Sequence, residues 1–295
     1  MWGALEWLCC RLSQRAADRL GAALGVLFGS GLRWRRGVVR ANLRQAFPSH
    51  SPGALRALTR GIYAHLGAAA VALFRLPLLS PTAAESLLGA AVLHELRRLL
   101  APGRGLIVIS AHLGYWDLLA CAAAHAGLPV NVVTRRLRAG GLNRWWMGRR
   151  AGCGVRLWPA RGSALGLAQC LRRGEIVAMV LDQHEPGGAV VPFFGRPAAT
   201  ARGLAQLARV SGAPVLPAFL VRRRDGKAVE LGPVVRAEAS LPPEPGGRRR
   251  TREEVRRADD RLTAALTGLI EQQVRRFPEQ WFWVHRRWKV PSAPA

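Results

Sequence analysis

LIVISAHLGYWDLL, residues 106–119, joins a strand pattern to a helix pattern across one histidine. The run LIVIS (106–110) has the length and β-branched content of a strand buried on both faces. It stops at His112, and Asp117 follows five positions later, near the start of a predicted helix over 115–126. In α/β proteins the point where a strand gives way to a helix is where chemistry tends to be placed. His112 and Asp117 would stand about 140° apart on a regular helix, so they cannot share a face. They can meet if His112 lies in the loop and the Asp117 carboxylate reaches back from the first turn. That carboxylate would fix the imidazole tautomer and leave the other ring nitrogen as a general base.

The texture around this stretch extends the fold reading. Apolar runs at 106–110, 130–133, 155–158, 176–181, 215–221 and 229–235 alternate with helical patterns at 115–126, 141–151, 162–173 and 201–211. Alternation of this kind predicts an α/β protein with a central mixed sheet flanked by helices. Thr200 is the expected N-cap of the 201–211 helix. Upstream, residues 1–80 read as helical throughout, with Ser51-Pro52 starting a helix near 53–74. Pro and Gly at 242–247 predict a loop, and Val255, Ala258, Leu262, Leu266 and Leu269 mark one face of a long helix after it. The expected organisation is an N-terminal helical portion, 1–80, and a catalytic portion, 81–295, forming one continuous unit.

Composition admits several partners. The chain has 295 residues and a net charge of +26; Lys227 and Lys289 are the only lysines, so 42 of the 44 basic residues are arginine. Arginine's planar fork suits phosphate and carboxylate, which admits nucleic acid, anionic lipid and acidic proteins, although an arginine-rich codon bias gives the same composition. No helix-turn-helix, zinc-finger or RNP pattern appears, and the positive charge is spread along the chain, which argues against nucleic acid. Five scattered cysteines lack zinc spacing and fit a reducing compartment. His184 and Glu185 do not read as metal ligands, because Pro186-Gly187-Gly188 makes a turn and no second cluster follows.

The N-terminus makes a poor signal peptide, and its uncharged run, Leu20 to Leu32, is 13 residues long, short of the ~20 needed to span a bilayer. An amphipathic helix in the membrane interface fits better, with Trp2, Leu5, Leu8, Leu12 and Ala16 on one side and Arg11, Arg15 and Arg19 on another. A helix packed on the protein's own core is the plain alternative.

No G-x-S-x-G elbow accompanies His112, so the base should activate a substrate hydroxyl rather than a protein nucleophile. A hydrolase using water in the same way is the competing reading. HLGYWD (112–117) is similar to the H-x4-D motif of the glycerolipid acyltransferases. The wider chain resembles their lipid A biosynthesis lauroyl/myristoyl branch, through RANLRQAFP (40–48), LDQHEPGGAVVPFFGRPAAT (181–200) and FPEQWFWVHRRWK (277–289) in matching order. Enzymes that acylate mannosylated phosphatidylinositol share much of this pattern.

The resemblance implies a membrane-peripheral O-acyltransferase at the cytoplasmic face of the inner membrane. It would move an acyl chain from a thioester, of acyl carrier protein or coenzyme A, to a hydroxyl of a phosphorylated glycolipid. No cofactor or metal is implied. His112 would be the base, Asp117 its partner, and Arg149 a functional arginine serving the oxyanion or acceptor phosphate, with Arg150 beside it. Asp182 and Gln183 would shape the active site at a second strand end. Phe193 and Phe194 would lie beside the acyl pocket. Glu279, Arg286 and Arg287 would contact substrate, the arginines through phosphate, while Trp281, Trp283 and Trp288 suit a headgroup interface.

Overall fold

The computed structural model describes residues 2–135, 139–240 and 250–289. Six helices precede the sheet: α1 (Trp2–Arg11), α2 (Gln14–Val26), α3 (Arg36–Ala46), α4 (Pro52–Phe74), α5 (Pro81–Leu88) and α6 (Ala90–Leu100). Then come β1 (Leu106–Ser110), α7 (Trp116–His125), β2 (Val130–Thr134), α8 (Gly140–Gly152), β3 (Arg156–Pro159), α9 (Ala164–Arg172) and β4 (Ile176–Val180). A hairpin of β5 (Ala189–Phe193) and β6 (Arg196–Thr200) leads to α10 (Gly203–Ser211), β7 (Val215–Arg222), β8 (Lys227–Leu231) and α11 (Arg252–Arg276). The predicted loop at 242–247 lies outside the described residues.

The main sheet runs β3-β2-β4-β1-β7-β8, parallel except for β8, which pairs antiparallel with β7. Helices cover both faces, so β1 is buried along its length. Ile107 and Ile109 point into a core shared with α9, α10 and α11, and Leu106 and Val108 into a second core beneath α5, α6 and α7. The alternation of one strand between two cores is why its sequence is a continuous apolar run.

Three local expectations change. Ser13 accepts a hydrogen bond from the Ala16 N–H and starts a new helix, so the N-terminal segment is two helices rather than one. Thr200 ends β6, and α10 begins after Arg202 without a side-chain cap. The run 229–235 is shorter as a strand, ending at Leu231, and Val235 makes only an isolated bridge with Val215. FFGR is a hairpin turn, with Phe194 at φ 54° and Gly195 at φ 68°, the two left-handed residues a type I′ turn requires. Phe194 bears the non-glycine cost of that conformation. Its N–H donates to the Glu271 carboxylate at 2.5 Å, and its ring packs on Phe47 and Trp283.

Helix α4 is long and apolar enough to cross a bilayer, yet it packs within the protein. Gly21, Gly25 and Gly29 lie against Tyr63, Gly67 and Ala68, so close that a Cβ on Gly25 would fall 1.9 Å from the Tyr63 carbonyl oxygen. With this small-residue stripe turned inward, Leu20, Leu24, Leu27, Phe28 and Leu32 face outward, joined by Leu5, Trp7, Leu8 and Trp34.

Candidate active site

The parallel register builds the site. Ser110 on β1 pairs with Val180 on β4, so His112 and Asp182, each two residues further, leave neighbouring strands side by side. Asp182 is 2% exposed. One oxygen lies 2.8 Å from His112 Nδ1, and the other accepts the His112 backbone N–H at 2.8 Å and Trp281 Nε1–H at 2.7 Å. Burial pushes this carboxyl up, but the charge of His112 and the hydrogen bonds from His112 and Trp281 outweigh it and hold it below its ordinary value. The ring of His112 is flanked by Trp116 and Phe282, at 5.2 and 5.8 Å between centroids. With Nδ1–H given to Asp182, Nε2 keeps its lone pair toward the cavity, where the Gln183 amide nitrogen stands 3.4 Å away.

Local backbone geometry sets the histidine. Gly114 has φ 64°, and a Cβ there would sit 2.0 Å from the Leu220 carbonyl oxygen, so only glycine lets the chain pass. The Gly114 N–H donates to Gln280 O at 2.9 Å, the Tyr115 N–H to Leu220 O at 2.8 Å, and the Phe282 N–H to His112 O at 2.9 Å. The 277–289 segment is therefore a clamp on the active loop. Asn42, from the RANLRQAFP stretch, holds that clamp by donating to Trp283 O and His285 O, both at 2.7 Å.

Asp117 does not reach His112. Its carboxylate is bound to Arg150, with Nε 2.5 Å from one oxygen and Nη2 also in contact. The first turn of α7 aims Asp117 at α8 instead, and the carboxylate in contact with the His112 ring is that of Asp182. Arg149 is also displaced: it turns outward and pairs with Glu6 at 3.2 Å, while Arg150 is the buried arginine that lines the cavity and donates to Thr134 Oγ1 at 3.2 Å. The two arginines are adjacent on a helix, so a one-residue shift moves the side chain about 100°.

Other expected contacts also move. Phe193 and Phe194 are buried in an aromatic cluster with Trp281, Trp283 and Trp288, away from the cavity lining. Trp281 and Trp283 are core rather than headgroup interface. Arg287 is fully buried; it donates to Ala199 O at 2.8 Å, Gln183 O at 3.3 Å and Thr200 Oγ1 at 2.5 Å, which leaves it no reach to phosphate. Burial pushes its guanidinium down to about 10. Glu279 lies by Gly61 and does not line the cavity, nor does the exposed Arg286. His285 accepts the His184 N–H at 3.0 Å, and burial holds it down at about 4.

The cavity beside His112 holds about 640 Å³. Val92, Leu96, Ala120, Ala123, Val108, Ala178, Ala218 and Leu231 line an apolar lane between the sheet and helices α6 and α7. Alanines at 120, 123, 178 and 218 leave the lane open where larger side chains would close it. Ser110 Oγ is a buried polar atom on its wall, without a hydrogen-bond partner among the described residues. Arg135, Arg161, Arg202 and the 185–188 loop line its polar part.

A carboxylate-bound imidazole beside a largely apolar cavity is an arrangement of the acid–base class, suited to taking a proton from a hydroxyl. The bacterial lipid A biosynthesis acyltransferase family model matches residues 3–290, and the chain belongs to that family. It is 26% identical over 289 residues to a lipid A biosynthesis palmitoleoyltransferase of Escherichia coli (strain K12), covering 96% of this chain and 88% of that protein. It is 27% identical over 291 residues to a lipid A biosynthesis lauroyltransferase of the same organism, covering 96% and 89%. The protein is an acyltransferase.

Proposed function

We propose that the protein transfers a fatty acyl group from the thioester of acyl carrier protein to a hydroxyl of a lipid A precursor, working on the cytoplasmic face of the inner membrane. The observation that carries this reading is the His112–Asp182 pair at the mouth of an apolar lane. His112 Nε2 takes the proton of the acceptor hydroxyl, and Asp182 stabilises the imidazolium that forms. The alkoxide attacks the thioester carbonyl. Arg150, held by Asp117, offers positive charge to the tetrahedral oxyanion. Collapse expels the thiolate, which takes up a proton, and the acyl chain occupies the lane lined by Ala120, Ala178 and Ala218.

Membrane attachment is supported by the outward leucines of α1 and α2. Apolar side chains gathered on one face, beside Arg11, Arg15 and Arg19, suit the boundary between headgroups and acyl chains. In this reading the 1–80 portion seats the enzyme on the membrane and the remainder carries the chemistry.

The test is transfer of labelled acyl groups from acyl carrier protein to a lipid A precursor by the wild type and His112→Ala. Transfer that requires His112 supports the reading. Transfer undiminished in His112→Ala would contradict the base, and transfer only to a mannosylated phosphatidylinositol would contradict the acceptor.

A further inference from the structure

We infer that Arg161 is the anchor of a phosphate subsite at the polar end of the cavity, taking a phosphomonoester on the acceptor glycolipid; this rests on the acyl-transfer reading above. The argument starts from charge. Among the described residues, four arginines, at 135, 150, 161 and 202, and two carboxylates, Asp117 and Glu185, line the cavity. Asp117 is bound by Arg150, and Glu185 by Arg135. Arg202 is held from behind by Asp260 at 2.5 Å and donates to Gly187 O at 2.7 Å. Arg161 is left as the cavity's guanidinium with no carboxylate partner among the described residues.

Arg161 is exposed at the cavity's edge, where a ligand can reach it. Arg161 lies in the loop after β3, where Ser163 Oγ bonds back to the Pro159 carbonyl and Gly162 turns the chain at φ 78°. Ala160 of the same loop also lines the cavity. An arginine fork matches two phosphate oxygens at once, and a phosphomonoester carries up to about two charges near neutrality. Arg135 and Arg202, each already paired with a carboxylate, do not compete for the ligand.

The acceptor, rather than the donor, is favoured by the route to the site. Helix α8 supplies Trp146, Met147 and Arg150 to the cavity, and the same helix packs on α1 through Trp145, which stacks on Trp2 and donates to Glu6 at 3.2 Å. Trp7, Leu8 and Leu5 of α1 are exposed. A lipid arriving along the α1 face therefore meets the cavity from the α8 side.

The experiment compares a phosphorylated lipid A precursor with the same precursor after phosphatase treatment. Both binding and acyl transfer are measured with the full chain in detergent micelles, for the wild type, Arg161→Gln and Arg161→Lys. The wild type should prefer the phosphorylated precursor by roughly tenfold or more, as a charge-assisted hydrogen bond predicts. Arg161→Gln should lose that preference, and Arg161→Lys should keep part of it. An unchanged preference in Arg161→Gln, with transfer intact, overturns the subsite and leaves the acyltransferase reading standing. Preference lost in Arg161→Gln, with no transfer by the wild type, keeps the subsite and sinks that reading. A defect that disappears when the carrier-protein donor is replaced by a phosphate-free short thioester places the anion on the donor and overturns the acceptor assignment.

Discussion

Asp182 holds His112 at two points, one carboxylate oxygen on ring Nδ1 and the other on the backbone N–H of the same residue, each at 2.8 Å. Both residues lie two positions beyond paired Ser110 and Val180, so the contact follows from the parallel register of β1 and β4 rather than from helix geometry. Trp281 Nε1 completes the set of donors to this carboxylate. Because the same aspartate positions the loop and the ring, the imidazole has little freedom to turn away from the cavity.

The lane beyond His112 should set acyl length. Ala178 lies between Val108 and Val132 in the sheet register, and all three line the cavity. Ala178→Leu fills that section without touching His112. Product analysis should show the preferred acyl chain shortened by a few carbons, with the rate on the shorter donor retained. An unaltered chain profile would place the acyl group elsewhere.

Vesicle flotation tests the N-terminal face. Leu24 and Phe28 are 42% and 52% exposed, flanking the glycine stripe of α2 and its C-terminal turn. Leu24→Glu with Phe28→Glu should weaken binding to anionic vesicles more than tenfold, since burying each such side chain contributes about 1.5–3 kcal/mol. The melting temperature should hardly change. Unchanged flotation would mean this face does not meet lipid.

Acid should destabilise the fold before most carboxylates titrate. Burial holds His65 down at about 3 and His285 at about 4, against an ordinary value of 6.5. Both are neutral in the folded state, and the unfolded chain takes up protons at these positions as pH falls through 6.5. Their contribution is therefore fully present above pH 6.5 and is lost progressively toward pH 4. The melting temperature should fall between pH 7.5 and 5. His285→Gln, which can still accept the His184 N–H, should show a shallower fall; an identical slope would exclude His285 as a source.

Much of the fold was legible from residues alone. The strand runs stood out because strands buried on both faces are continuously apolar, and Ser51-Pro52 marked α4 by capping chemistry: the Ser51 hydroxyl accepts the Ala54 N–H at 3.2 Å. The histidine was legible from its place after β1. Its partner was not, because Asp117 is near in sequence whereas Asp182 is brought close only by strand order, 70 residues away. A readable signal existed: LIVIS and IVAMV are matching apolar runs, and His112 and Asp182 stand at equivalent distances past their ends. The burial of Trp281, Trp283 and Arg287 was hidden for a related reason. Tryptophan and arginine suit both a headgroup interface and a hydrogen-bonded core, and only tertiary contacts decide between them.

The measurement that bears most directly on the central claim is the turnover number for acyl transfer in Asp182→Asn beside Asp117→Asn, each checked for an unaltered melting temperature. If Asp182 orients the base, Asp182→Asn should lose roughly 10³–10⁴-fold in kcat, the scale seen when a carboxylate that sets a catalytic imidazole's tautomer becomes an amide. Asp117→Asn should lose less, because it leaves the His112–Asp182 pair in place and weakens only the hold on Arg150. Near-normal turnover in Asp182→Asn, with Asp117→Asn inactive, would contradict the assignment and return the orienting role to Asp117.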